Sequence, residues 1–331
     1  MNYFGLLLCI LLLGTALFIE RKPNIKSYSF TFYVLAAVCM ALQYPSIFTA
    51  WGSFETKHLI VPLLQIIMFG MGTTMSLQDF YGVIQMPKGV LVGLLCQFSI
   101  MPLVGLGLSV LFDFPPEIAA GIILIGSCPG GLASNVMAYL AGANVALSIT
   151  LTTIATLLAP LITPALMKGL AGTLIPIDTL AMMLSILKMV ILPVVIGLVF
   201  NQLFKRNANK LLSQLPKVSM IAIVGIIVII TANGRDALLT VGLSLLCAAI
   251  IHNLAGYLLG YWSCKLMQLP ERDCRTIAFE VGMQNGGLAS GIAVQMGRVA
   301  TLGLAPAIFG PWMNISGSSL ALWWKGKRKR K

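Results

Sequence analysis

The stretch Glu280-Val281-Gly282-Met283-Gln284-Asn285-Gly286-Gly287 lies inside an apolar run of about membrane-spanning length, roughly 272–300. The chain has ten acidic residues. Glu20, Glu55, Asp79, Asp113, Glu117, Asp178, Asp236, Glu271 and Asp273 fall at the ends of apolar runs or between them, and Glu280 alone lies deep within one. A carboxylate at mid-membrane costs at least ~3 kcal/mol, so positions that keep one are usually functional. Two amide side chains and a Gly-Gly pair follow it. Gly-Gly weakens a helix, and a broken membrane helix frees carbonyls and N–H groups. A carboxylate, two amides and loose backbone at that depth form a candidate ion site.

The composition sets the solvent. The 331 residues are 58% hydrophobic and only 10% charged, with a mean hydropathy of +0.93, so the polar residues are too few to cover a water-facing surface. The net charge of +12 does not indicate nucleic acid, because the basic residues sit in short loops and the tail with no basic, aromatic-interleaved face. The seven cysteines show no CxxC or Cys/His ligand spacing, so neither a disulfide nor a metal cluster is expected.

Apolar runs occur at about 27–45, 58–76, 88–112, 117–141, 143–168, 175–203, 217–232, 237–263, 272–300 and 303–324. The connectors alternate in charge. One set holds Arg21, Lys22 and Lys26; Lys88; Lys205, Arg206, Lys210 and Lys217; Lys265, Arg272 and Arg275; and the tail Lys325 to Lys331. The other holds Lys57, Lys168, Arg235 and Arg298, each alone. The richer set is cytoplasmic by the positive-inside rule, giving ten core spans with the C-terminus inside. Residues 4–18 form one further apolar run. Its basic residues, Arg21 and Lys22, follow the run, whereas a signal peptide carries them before it, so we read an extra spanning helix with its N-terminus outside. Trp51, Trp312, Trp323 and Trp324 at span ends fit interfacial belts.

Gly130-Gly131-Leu132-Ala133-Ser134 recurs letter for letter as Gly286-Gly287-Leu288-Ala289-Ser290. The copies fall in the fourth and ninth core spans, matching places if the ten spans are two sets of five. Five is odd, so the halves are inverted, and interrupted spans in matching places point to a transporter with its binding site at the break. Pro129 removes a donor beside Gly130-Gly131, so the fourth span should break as well.

A sodium-type ion wants about five or six hard oxygens. Candidates near the breaks are Glu280, Gln284, Ser134 and Asn135, with Gln97 in the third core span. Ser148 and Thr152 lie four apart and share one helix face. One carboxylate is too few for a divalent ion, and a lone span histidine, His252, reads as hydrogen-bonded structure. Lys188, within the sixth core span, either draws anions or snorkels along a kink at Pro193, and we leave it out of the site.

The motifs Gln97-Phe-x-Ile-Met-Pro102, Ser127-Cys-Pro-Gly-Gly-x-Ala-Ser-Asn135, Asn144-Val-Ala-Leu-Ser148, Glu280-Val-Gly-Met-Gln-Asn285 and Asn314-Ile-Ser-Gly-Ser318 resemble the bile acid:sodium symporter family, most closely its bacterial members. The resemblance covers about 27–331. It implies an all-α membrane protein of ten core helices in two inverted five-helix repeats, 27–172 and 173–324. A panel domain of the first, second, sixth and seventh core spans packs on a core domain of the other six, and the fourth and ninth spans cross at their breaks. Residues 1–26, the extra N-terminal helix, lie outside the resemblance, and 325–331 form a basic cytoplasmic tail. The resemblance further implies two sodium sites. The first uses Ser134, Asn135, Ser148, Thr152 and Glu280. The second uses Gln97, Glu280, Gln284 and the carbonyls of Val281 and Met283. Asn285 touches substrate, within a surround of Leu132, Ala133, Gly286 and Asn314. Bacterial members often carry Thr at the position of Leu132, and some bind small carboxylates such as pantoate through that hydroxyl. Leu132 lacks it, so the family name does not fix the substrate. Met313 stands where some members have His.

The expectation is therefore a sodium-coupled symporter of an organic anion, bile-acid-like or another small carboxylate or sulfate, acting by alternating access in the cell membrane. It is monomeric and uses no cofactor beyond two coupling Na+ ions. It is not an enzyme, since no Ser/His/Asp set exists and Ser134 has no neighbouring base. The alternatives are a proton-coupled organic anion transporter with Glu280 as relay, or a membrane ligand receptor that does not transport.

Overall fold

The computed structural model describes residues 3–22, 28–76, 78–204 and 214–329. Lys26, Lys205, Arg206 and Lys210 of the cytoplasmic basic set, and the tail residues Arg330 and Lys331, lie outside them. The long elements are all helices, the form in which a single segment satisfies its own backbone in lipid. They are α1 (Tyr3–Glu20), α2 (Ser29–Gln43), α3 (Pro45–Thr49), α4 (Ile60–Thr74), α5 (Gln78–Gln85), α6 (Pro87–Leu111), α7 (Pro116–Ser127), α8 (Ala133–Leu140), α9 (Val145–Ala171), α10 (Thr179–Ile186), α11 (Leu192–Phe204), α12 (Leu215–Asn233), α13 (Arg235–Leu266), α14 (Glu271–Gly282), α15 (Gly286–Gln295) and α16 (Leu304–Lys329). Among the described residues, four continuous stretches are long and apolar enough to cross a bilayer alone: Pro87–Leu111, Val145–Ala171, Thr179–Phe204 and Arg235–Leu266. With the shorter apolar helices, these make a multi-pass membrane protein.

Each apolar run contains helix, and the differences have local causes. Pro45 restarts the chain after α2 as a short helix, and a two-stranded hairpin (β1 Ala50–Trp51, β2 Phe54–Glu55) then turns at Gly52 with φ +62°. Neither was anticipated, nor was α5 between two spans. The last helix runs on through Lys329, so most of the basic tail is helical. In the sixth core run α10 and α11 are joined by a π-helical turn, Leu187–Ile191, which ends two residues before Pro193. Trp324 is a correction. It is buried against Phe279 at 5.2 Å between ring centroids, under the guanidinium of Arg275, and is no lipid anchor. Trp51 and Trp323 are exposed.

Helices pack in two groups. α4 packs on α11 and α12, and α12 on α2, with α1 outside α2. In the other group α6 packs on α7, α13 on α14, and α6 on α13, with α8, α9 and α16 around them. α15 touches both groups, packing on α4 and α10 as well as on α16. α7 is buried on all sides from Ile118 to Ser127, as is α14 from Thr276 to Gly282, so the two half-helices that lead to the breaks are enclosed by protein.

The α4–α11 contact depends on two glycines. A Cβ on Gly72 would lie 2.1 Å from the Val194 carbonyl oxygen, and one on Gly197 would lie 2.2 Å from that of Phe69. Small residues of this kind let membrane helices approach closely. Gly197→Val should therefore destabilise the protein by about 1–3 kcal/mol through overpacking, read as a lower melting temperature in detergent. Unchanged melting would mean that the two helices do not touch there.

Candidate ion and substrate site

α7 stops at Ser127 and the chain resumes as α8 at Ala133; α14 stops at Gly282 and resumes as α15 at Gly286. Both breaks fall where the paired glycine motifs place them, and they pair with each other. Gly130 and Gln284 form an antiparallel bridge. The Gly131 N–H donates to the Met283 carbonyl at 2.8 Å, and the Asn285 N–H to that of Pro129 at 2.9 Å. Backbone groups freed by one break are thus satisfied by the other. Glycine is required for the approach: a Cβ on Gly131 would stand 3.0 Å from the Gln284 carbonyl oxygen, and one on Gly130 2.8 Å from Glu280 Oε2.

Glu280, one turn before its break, is 4% exposed. Oε1 accepts from the Ser134 hydroxyl and from that of Ser148 at 2.5 Å, while Oε2 accepts from Thr152 at 2.8 Å. Asn135 Oδ1 accepts from the same two α9 hydroxyls, at 2.7 Å from Ser148 and 3.3 Å from Thr152. Ser134, Asn135, Ser148, Thr152 and Glu280 therefore converge from α8, α9 and α14. The four-residue spacing of Ser148 and Thr152 puts both hydroxyls on the carboxylate. Among the described residues no Lys or Arg pairs with Glu280.

Gln97, Gln284 and Val281 form a second cluster across the crossing. Gln97 Nε2 donates to Gln284 Oε1 at 2.6 Å and to the Cys128 carbonyl at 2.7 Å, and Gln284 Nε2 donates to the Val281 carbonyl at 2.6 Å. Both amide protons of Gln97 are used, and its Oε1 is buried with no partner. Exchanging oxygen and nitrogen would set an acceptor against the Cys128 carbonyl, so the orphan is an acceptor. A buried oxygen without a donor is costly unless a cation or water meets it. The Met283 carbonyl, the remaining member of the predicted set, takes the Gly131 N–H.

Of the residues expected near substrate, Leu132 and Ala133 are half-buried at the start of α8. Asn285 Oδ1 caps α15 by accepting from the Leu288 N–H at 3.0 Å, and Gly286 opens that helix. The Asn314 amide bonds its own helix, at Gly310, 2.9 Å away. The neighbour of Asn314 reaches the crossing instead: Met313 Sδ accepts the Gln284 N–H at 3.1 Å.

Asn253 escaped the sequence reading. It is fully buried on α13, donates to the Gly282 carbonyl at 2.8 Å, and accepts from Ser316 at 2.6 Å. Tyr257 joins this network through Ser316 at 3.1 Å. Asn253 stands 156 residues after Gln97, the separation of the two glycine motifs. Each of these amides holds a carbonyl at or next to the end of a half-helix, Cys128 for Gln97 and Gly282 for Asn253. Applying the motif offset to Gln97 would have found it. Thr163 similarly donates to the Ser127 carbonyl at 2.8 Å. His252 bonds the Met101 carbonyl at 3.2 Å and meets Phe309 edge-on.

The model of the sodium bile acid symporter family matches residues 61–241. Over 314 residues the chain is 40% identical to an uncharacterized sodium-dependent transporter, YocS, of Bacillus subtilis, covering 95% of this chain and 96% of the relative. A probable chloroplastic sodium/metabolite cotransporter, BASS1, of Arabidopsis thaliana is 34% identical over 93% of this chain and 76% of its own length. The human ileal sodium/bile acid cotransporter is 38% identical over 72% of this chain and 70% of its own. Matched in its family model and along nearly its whole length in the Bacillus relative, the chain belongs to the sodium bile acid symporter family, and is a membrane transporter rather than an enzyme.

Proposed function

We propose that this protein is a sodium-coupled symporter of an organic anion that works by alternating access. One observation carries the reading: a buried carboxylate with no basic partner among the described residues is ringed by three hydroxyls at the crossing of two broken helices, beside an amide oxygen that has no donor. The relatives named for sodium dependence and for sodium-coupled metabolite or bile acid transport support the same coupling ion.

Two sodium ions are carried as cargo. The first takes the Ser134, Ser148 and Thr152 hydroxyls, the Asn135 amide oxygen and the Glu280 carboxylate, five hard oxygens with one negative charge. On binding, the hydroxyl protons turn away from Glu280 and their lone pairs face the ion. The second takes Gln97 Oε1, Glu280, Gln284 and the carbonyls of Val281 and Met283. Glu280 is common to both, so one carboxylate offsets part of the charge of each ion. Together they tie the two breaks, and so order the first turns of α8 and α15 toward an anion near Leu132, Ala133, Asn285, Gly286 and Asn314. Helix termini inside the membrane serve this purpose in secondary transporters.

Residues 27–172 and 173–324 form the two inverted five-helix repeats, preceded by the segment 1–26 that carries the extra helix α1 and followed by the basic tail of 325–331. The two packing groups support a panel of α2, α4, α10–α11 and α12 rocking on a core of the other spans. The matched roles of Gln97 and Asn253 support the repeat. The protein sits in the cell membrane with its C-terminus in the cytoplasm, following the alternation of basic connectors.

Glu280→Gln should weaken sodium binding more than about 100-fold, since it removes the only charge shared by both ions. It should still fold, because the Gln oxygen replaces Oε1 as acceptor for Ser134 and Ser148. Scintillation-proximity binding of radioactive sodium to the purified protein checks this, and wild-type binding in the variant would refute the site assignment. Leu132→Thr should change which anions are taken up while leaving sodium affinity within about twofold, because the side chain lies outside both oxygen sets. Loss of sodium binding there would mean that the crossing is misassigned.

A further inference from the structure

Lys188 is a cation in the interior of an apolar stretch, and the mechanism above does not use it. It lies nine residues into Thr179–Phe204, about 14 Å along the axis, close to half the hydrocarbon thickness. Its four-carbon stem covers about half of that distance, and the residues around it include Val61 and Ala181 near the ends of their helices. Ionisable groups so placed generally line a cavity or pathway. Lys188 does line one. A cavity of about 520 Å³ is walled by Val61 and Gln65 of α4, Ser185 of α10, Lys188 and Met189 of the π-helical turn, and Gln295, the last residue of α15. Its size is that of a small-molecule site.

Three features suit this cavity to one ligand chemistry. The first is charge: Lys188 is exposed, and among the described residues no carboxylate pairs with it. The second is local geometry. π-helical turns occur often at functional sites, and this one is held by Gln65 Nε2, which donates to the Lys188 carbonyl at 3.3 Å. The third is the lining, in which Gln65, Ser185 and Gln295 accompany the ammonium while Val61 and Met189 offer apolar surface. The cavity also adjoins the transport path. α15 begins at the crossing with Gly286 and ends in the cavity wall with Gln295, about 14 Å away. Midway, Gly291 lets α15 sit on α4 and the π-helical turn, since a Cβ there would lie 2.4 Å from Leu64 and 3.5 Å from the Met189 sulfur.

We infer that this cavity is a docking subsite for an amphipathic organic anion, in which Lys188 receives the carboxylate or sulfonate head and Val61 and Met189 receive the apolar body. The inference rests on the organic-anion reading above and adds to it a second station on the route to the crossing. A phospholipid phosphate offers the same chemistry as the free anion, and the test separates the two.

The experiment is calorimetric binding of cholate, taurocholate and benzoate to the full-length protein in sodium. It uses wild type, Lys188→Met and Lys188→Arg, in nanodiscs of phosphatidylcholine with and without phosphatidylglycerol, and records the sodium-dependent melting shift alongside. The expected result is that Lys188→Met weakens the best-bound anion about tenfold, the loss of one charge-assisted contact, while Lys188→Arg keeps most of the affinity and both variants keep the sodium shift. Wild-type affinity in Lys188→Met, with a normal sodium shift, would overturn the subsite and leave the transporter reading intact. A wild type that binds none of the three anions would overturn the organic-anion reading and the subsite with it. Probe displacement by phosphatidylglycerol in wild type but not in Lys188→Met would assign the cavity to lipid and overturn its docking role.

Discussion

Everything at the centre of this protein depends on the backbone pairing between Pro129–Gly131 and Met283–Asn285. Inside a membrane an interrupted helix leaves N–H and C=O groups that lipid cannot satisfy. Here the two interruptions are placed so that each satisfies the other, through the Gly131–Met283 and Asn285–Pro129 hydrogen bonds. Gly130 and Gly131 admit this approach because a side chain at either would meet Glu280 or the Gln284 carbonyl. The crossing then holds four half-helix ends at one depth, with buried side chains from α6, α9 and α13 bracing it.

The electrostatics follow from that crossing. Glu280 meets three hydroxyls and, among the described residues, no basic side chain, so no fixed cation balances a carboxylate there. Gln97 spends both amide protons on the crossing and leaves its oxygen without a donor. Both features suit the mobile cation we propose for this site. In a permanently filled structure, a lysine or arginine would be the economical partner for Glu280.

Much of this was legible because membrane burial makes polar residues rare. Glu280 stood out as the one carboxylate deep in a span, the repeated Gly-Gly-Leu-Ala-Ser located both breaks, and the spacing of Ser148 and Thr152 set them on one helix face. Features without such a signal were missed. The π-helical turn around Lys188 leaves no mark in hydropathy, where the proline five residues on is the visible feature. α5 and the short hairpin fall between spans, where apolar periodicity is silent. Trp324 looked like an anchor because belt tryptophans and buried tryptophans have the same letter, and only the packing of Phe279 and Arg275 tells them apart. Asn253 passed unnoticed as an ordinary amide in an apolar run, although its distance from Gln97 repeats that between the glycine motifs.

The central claim is that Glu280 binds sodium in the folded protein, and the most direct measurement is thermal unfolding of the purified protein in sodium, potassium or choline chloride at equal ionic strength. An ion bound to the native state at 100 times its Kd adds about 2.7 kcal/mol of stability per site. The account predicts a melting temperature raised by sodium alone, with no such rise in a folded Glu280→Gln variant. Equal melting of the wild type in all three salts would contradict it.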